Sequence, residues 1–213
     1  EEDKKLEALR AHKKGLMQKL FPVEGKTVPE WRFSEFRGSG EWKEKKFGDV
    51  CPSIASGKSK KSIENGIYPL LGSTGQIGLC DTADYCGELI LIARVGANAG
   101  QVYQFNGECG VSDNTLIIAV GDTNINQSFL LKWLENYNIN KLIFGSGQPL
   151  VTSGQLKRIE ISVPEIDEQQ KISDCLSSAD DTITEQVKKI EALKTHKKGL
   201  IQGLFPSVEE VGE

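Results

Sequence analysis

Four short segments of this 213-residue chain combine small residues with hydrogen-bond donors. They are Ser56–Ser62, Gly72–Gln76, Arg94–Gly100 and Phe144–Pro149. Glycine lets a backbone approach a ligand closely. Serine, threonine and lysine suit phosphate oxygens. Glutamine, asparagine and arginine can pair bidentately with base edges. On this chemistry Lys58, Lys60, Lys61 and Lys157 are candidate phosphate anchors, with the hydroxyls of Ser73, Thr74 and Ser146 beside them. Gln76, Arg94, Asn98 and Gln148 are the candidate base readers. Each segment alone is equally a solvated turn, and Lys58–Lys61 equally a solubilising face. The recurrence of the pattern is what points to nucleic acid.

Enzymatic patterns are missing from the sequence. Methylation of a base amine would call for an Asp/Asn-Pro-Pro-aromatic motif, and none of the seven prolines is paired. Gly145-Ser146-Gly147 is a lone Gly-x-Gly without a strand–turn–helix and a distal acid around it, and Gly57-Lys58-Ser59 lacks the earlier glycine of a phosphate loop. No acidic cluster suggests a nuclease metal site. The five cysteines (Cys51, Cys80, Cys86, Cys109, Cys175) form no Cys-x-x-Cys pair, and the two histidines lie far from them. They read as reduced, buried thiols of a cytoplasmic protein. No metal and no cofactor of the chain's own is expected.

The elements that must carry these loops are of two kinds. Leu6, Leu9, Leu16 and Leu20 recur on one face of a helix over 4–20, stopped by Phe21-Pro22. A second, much longer helix is expected over 165–204. Pro164 stands at its start, Glu165, Asp167 and Glu168 suit its positive end, and Ile172, Leu176, Ala179, Ile183, Val187 and Ile190 form a near-heptad seam. Between them, 67–71, 89–93, 101–105, 115–120 and 159–163 read as strands. Residues 126–139 read as a helix with Leu130, Trp133, Leu134 and Tyr137 on one face. The fold class is therefore α+β: a globular, β-rich domain flanked by a short N-terminal and a long C-terminal helix.

The two helical ends are copies of each other. Residues 4–22 and 188–206 are identical at 14 of 19 positions, at an offset of 184 (188 − 4). That offset is far too long for a solenoid period. One module ends near residue 22 and the next ends near 206, so the chain reads as half of a duplicated protein. Its lack of an initiating Met suits a fragment. His12 and His196 fall at equivalent positions, which favours packing or partner contact over catalysis.

Charge and hydropathy narrow the class further. The net charge is −4, divided as +2 over residues 1–22, −1 over 23–164 and −5 over 165–213. The central domain is thus near neutral, and its cations can hold DNA if they converge on one face. No apolar run approaches a membrane span and no signal peptide opens the chain, so a cytoplasmic location with no membrane partner is expected.

Pro29-Glu30-Trp31-Arg32-Phe33, followed by Glu41-Trp42-Lys43 and Phe47-Gly48-Asp49-Val50, resembles the opening of a target recognition domain in type I restriction–modification specificity subunits. Ile161-Ser162-Val163-Pro164-Glu165 and Glu168-Gln169-Gln170-Lys171-Ile172 resemble that family's closing motif, and residues 194–206 its conserved helix terminus. The resemblance covers essentially the whole chain. It implies residues 1–22 as the tail of a spacer helix, 23–164 as the recognition domain, 165–206 as the long spacer helix and 207–213 as a disordered tail. Such a subunit is not an enzyme. Its two tandem recognition domains, of which this sequence has one, each read one half of a bipartite site in double-stranded DNA. It docks modification subunits that use S-adenosylmethionine, which in turn engage a restriction subunit using ATP and Mg.

In an antiparallel pair, the end of one helix meets the start of the other. Residues 4–20 are then expected on 170–187, leaving Ile190, Leu193, His196, Leu200 and Leu204 to a partner, for which a two-fold homodimer is the expectation. Two rival readings are a coiled-coil assembly protein whose globular domain binds protein or glycan, and a self-contained DNA-modifying enzyme. Salt-sensitive duplex binding separates the first from a DNA reader; methyl transfer by the chain alone would mark the second.

Overall fold

The computed structural model describes residues 1–61, 65–143 and 148–204. In chain order these form helix α1 (Glu2–Leu20), strand β1 (Lys43–Lys46), the single turn α2 (Phe47–Val50), β2 (Ser53–Ser56), β3 (Tyr68–Gly72), β4 (Gly75–Cys80), β5 (Glu88–Ala93), β6 (Val102–Asn106), β7 (Gly110–Val111), β8 (Thr115–Ala119), α3 (Gln127–Tyr137), α4 (Ser153–Lys157), β9 (Glu160–Val163) and α5 (Ile166–Leu204). Two compact units result, one of Gln18–Ser173 and one of Glu1–Met17 with the chain from Asp174 onward. The α+β class read from the sequence holds.

The larger unit is organised around an antiparallel sheet in the order β2-β8-β5-β6. Its spine is Ile90-Leu91-Ile92-Ala93, a run that no water reaches. Such a continuous apolar run marks a strand covered on both faces. On one face Leu91, Leu89, Tyr103, Phe105 and Ile117 meet Leu71, Cys109 and Val111 of the smaller sheet region β4-β3-β7. The alternate residues Ile90, Ile92, Leu116 and Ile118 are buried too, and α3 packs against β6. Asn126 caps α3 by accepting the Phe129 N–H at 2.9 Å. Asn138, in the left-handed region at φ 54°, ends the helix.

The ends of this unit are tied to each other. β1 and β9 pair antiparallel from Lys43–Val163 to Lys46–Glu160. The Phe21 ring lies tilted 5.5 Å from Phe129, and Trp42 meets Phe129 edge-on at 6.1 Å. Beside them, Arg32 grips Glu168 with two parallel bonds, Nε to Oε1 at 2.7 Å and Nη2 to Oε2 at 2.6 Å. The pair is nearly dry, at 9% and 2% side-chain exposure. The next two residues finish the seam. Gln169 accepts the Asn126 N–H at 2.8 Å and donates to the Asn124 and Pro164 carbonyls at 2.8 and 2.9 Å. Gln170 accepts from the Asn126 side chain at 2.6 Å. The unit therefore takes in the last turn of α1 and the first turns of α5, where Leu20, Phe21 and Ile172 are buried, and so reaches beyond 23–164.

Five strands stand where the sequence pattern puts them, as β3, β5, β6, β8 and β9. β1, β2, β4 and β7 are additions. β1 is Lys-Glu-Lys-Lys, with no apolar alternation to reveal it, and β7 has only two residues. β4 overturns part of the Gly72–Gln76 loop: Ser73-Thr74 form the turn, Gly75 takes φ 88°, and Gln76 lies within the strand opposite Leu71. The cysteine expectation also needs correction, because Cys86 is exposed and Cys175 half-buried while Cys51, Cys80 and Cys109 are buried.

In the smaller unit α1 runs antiparallel to α5. The Glu2 carboxylate accepts from Gln186 at 2.7 Å and from Lys189 at 2.9 Å, and Lys13 pairs with Asp180. The bonds from Gln186 and Lys189 hold the Glu2 carboxyl below its ordinary pKa. This register carries the cover one turn past residue 187. Ile190 is consequently buried at 7% exposure, not left for a partner. Leu193, His196 and Leu200 are exposed as expected; the Leu204 side chain lies outside the described residues, as do 205–213. Among the described residues no helix is long and apolar enough to cross a membrane.

Arg32→Ala strands the Glu168 carboxylate in the interior and is expected to cost about 3–5 kcal/mol, read as a lower denaturation midpoint. Burial pushes the Cys51 thiol up to about 12 and that of Cys109 to about 11. At pH 8 a thiol reagent should therefore modify Cys86 quickly in the folded chain, and reach Cys51 and Cys109 only after denaturation.

Candidate nucleic-acid interface

The turn Ser112-Asp113-Asn114, between β7 and β8, organises the candidate residues. The Asn114 carbonyl accepts both the Ser73 hydroxyl at 2.8 Å and the Arg94 backbone N–H at 2.9 Å. One guanidinium nitrogen of Arg94 reaches the Asp113 carbonyl at 3.4 Å. On the other side Gly57 N–H donates to Thr115 O at 3.0 Å and Ser59 N–H to Val111 O at 2.9 Å. The Ser59 hydroxyl returns the contact, accepting from Val111 N–H at 3.0 Å and donating to Asp84. Two segments that are distant in sequence are thus laced to one turn by main-chain bonds, and Lys58 and Lys60 flank the lacing residue Ser59 as exposed side chains.

Glycine is required where the backbones cross. A Cβ on Gly57 would collide with the Val111 and Ser112 carbonyls. Tyr103 donates its hydroxyl to Gly72 O at 2.6 Å, which pins the root of the Ser73-Thr74 turn from inside the core. Burial raises the Tyr103 phenol above its ordinary pKa, so it stays a donor at neutral pH.

The Arg94–Gly100 segment is stitched in the same way. Val151 N–H donates to Arg94 O at 2.8 Å and Gly96 N–H to Pro149 O at 3.1 Å. Gln148, exposed, therefore stands next to the Arg94 loop. Asn98 sits within that loop, where its carbonyl accepts from Gln101 N–H at 2.9 Å and Ala99 N–H closes back on Gly96. Lys61 lies along Gly78 of β4, and the Gln76 amide bonds to Gly78 O at 3.3 Å. Thr74 is exposed at the tip of the β3–β4 turn. Ser146 lies outside the described residues.

Lys157 stands apart. Its ammonium donates to Pro52 O at 2.7 Å, at the opposite end of β2 from Gly57. Five residue steps of extended chain separate these points, about 17 Å. Lys157 closes a contact between α4 and the start of β2 and does not join the loop cluster. A cavity of about 650 Å³ also lies elsewhere, beside Trp133, Tyr137, Lys141 and Arg158, and none of the candidate phosphate anchors or base readers lines it. Among the described residues no group of three or more His, Cys, Asp or Glu could hold a metal ion.

Asp113 and Asn114 were not selected from the sequence, although both are exposed at the centre of the cluster. An Asp-Asn pair between two strand patterns is a turn signal, and their side chains also belong to the base-pairing repertoire. What linear inspection lacked was the pairing that brings this turn to Ser73 and Arg94.

Comparison with known proteins bears on what the cluster is for. A family model described as the type I restriction modification DNA specificity domain matches residues 39–195. The type I restriction enzyme EcoprrI specificity subunit of Escherichia coli is 29% identical over 136 residues, covering 64% of this chain and 33% of that protein. A putative type I specificity subunit of Mycoplasma pneumoniae is 30% identical over 137 residues, covering 60% and 44% respectively. The chain therefore spans between a third and a half of the length of these curated relatives. In fold it is similar to the type I restriction-modification system S subunit from M. genitalium, with a TM-score of 0.71 at 18% identity over 96% of this chain and 56% of that one.

The crossing at Gly57 yields a sharp contrast. Gly57→Ala should lower stability by about 1–3 kcal/mol as the crossing strands are forced apart, whereas Lys60→Ala should leave the denaturation midpoint where it is.

Proposed function

The chain belongs to the type I restriction modification DNA specificity domain family, and we propose that it reads one half of a bipartite sequence in double-stranded DNA for a type I restriction–modification assembly. The observation that carries this is the convergence of the Lys58–Lys61, Ser73–Gln76 and Arg94–Asn98 segments on the turn that holds Asp113 and Asn114. Lys58, Lys60 and Lys61, with Ser73 and Thr74, anchor phosphates. Arg94, Asn98, Gln76, Gln148 and Asn114 address base edges. Phosphate contacts fix register and base contacts supply sequence information, so a near-neutral domain suffices when its cations stand beside its readers.

On this reading the chain has no catalytic step of its own and works in the cytoplasm. Modification subunits bring S-adenosylmethionine, and a restriction subunit joins with ATP and Mg. The exposed Leu193 and Leu200, with His196 between them, support a docking role for the end of α5, including a two-fold association of two copies that would present two recognition units.

Selection from random duplex DNA, with and without a modification subunit, tests the reading. A short enriched motif is expected, and enrichment in neither condition would favour the interaction-protein alternative. Arg94→Ala should cost about 1–3 kcal/mol on the selected site and relax preference at one position. Lys60→Ala should weaken all sequences alike and reduce the salt slope by about 1.

A further inference from the structure

The two copies of the repeated segment stand in different surroundings. In the first, Leu6, Leu9, Leu16 and Met17 are all partly covered. Their counterparts 184 residues on are Ile190, Leu193, Leu200 and Ile201. Of these only Ile190 is covered; Leu193, Leu200 and Ile201 are 48, 51 and 49% exposed. Apolar side chains at the same helical spacing thus have a cover in one copy and, beyond Ile190, lack it in the other. The cover in the first copy is known. It is the stretch of α5 that includes Asp180, Gln186 and Lys189, approached antiparallel.

We infer that residues 188–204 of a second copy of this chain fit the seat on α5 that α1 occupies, so that α1 and the second copy compete for it. The inference rests on the two-fold association proposed above and specifies its register and its regulation. Lys13 faces Asp180. Its counterpart is Lys197, an exposed side chain. In α1's register, Lys197 of each copy meets Asp180 of the other, and the two-fold axis passes between Lys188 and Lys189. The contact is self-complementary, as a closed two-fold interface must be.

The competition is biased. Glu2, which holds Lys189 at 2.9 Å, has Gln186 as its counterpart, so the exchange gives up an ion pair and brings two Lys189 side chains toward the axis. α1 therefore keeps the seat when the chain is dilute, and the second copy takes it at high concentration or where a partner draws α1 away. The N-terminal copy is an internal brake on self-association.

The test is sedimentation equilibrium of the full chain from micromolar to several hundred micromolar, with helix content followed by circular dichroism. Lys13→Glu sets two acids against each other in the closed form only, and should strengthen the dimer. Lys197→Glu does so in the dimer only, and should weaken it. Each change should be about five- to tenfold, because the modest effect of one partly exposed pair is counted twice across the axis. Asp180→Lys combined with Lys197→Glu restores the intermolecular pair while Lys13 faces a lysine, so this double variant should be the most dimeric of the set. It also serves if Lys13→Glu perturbs α1 folding. A dimer that ignores Lys13→Glu and the double variant overturns the shared seat while leaving two-fold association intact. Strictly monomeric behaviour of every variant overturns the association itself.

Discussion

The larger unit depends on one buried contact, the two-bond grip of Arg32 on Glu168. These residues are separated by 136 positions, one near the start of the unit and one near its end. A carboxylate at 2% exposure is tolerable only with its charge answered in full, and the planar fork of arginine supplies both bonds in one geometry. The net stabilisation of such a pair against an apolar substitute is small, because desolvation offsets most of the attraction. Its value is selectivity: other docking angles of the chain ends would leave a dry charge unanswered. Gln169 and Asn126 add neutral bonds to the same seam, so the start of α5, the cap of α3 and the strand β9 share one set of positions.

With its ends fixed, the unit can leave its far edge irregular. The β5–β8 framework is apolar on both faces and carries the burial, while backbone bonds at Gly57, Ser59, Arg94 and Gly96 hold the loops to its edge, to β7 and to one another. This separates two demands that conflict in most folds. Core residues answer to packing, and the tips answer to whatever they touch. The net charge of −4 misrepresents such a surface, because most of the excess acid lies on the C-terminal segment and the exposed lysines of 58–61 stand beside the hydroxyl and amide groups they would serve.

Much of this was legible in the linear chain, and the reasons for the exceptions are physical. α5 announced itself through a seam of apolar residues and an acidic first turn, and the repeat exposed the relation of α1 to it. The strands that pack on both faces were plain because burial demands apolar residues. β1 was invisible because it is the charged member of a two-stranded ribbon, without an apolar residue, held by pairing to β9. Glu168-Gln169-Gln170 was recognisable as a motif, yet the roles of its members emerge only when Arg32 and Asn126 come to meet them. Lys157 looked like its fellow lysines until the fold put β2 between them. Ile190 changed its status because register, not composition, decides where a helix pair stops covering.

The lacing of the loops has a consequence for how such a domain can change over generations. The bonds that hold them are made mostly by peptide groups, which every residue except proline supplies alike. Most tip positions can therefore drift without disturbing the scaffold, and only a few anchor points such as Gly57, Tyr103 and Ser59 are tied to one side-chain type. A lineage can retune what the surface contacts one residue at a time, with the folded framework insulated from each trial.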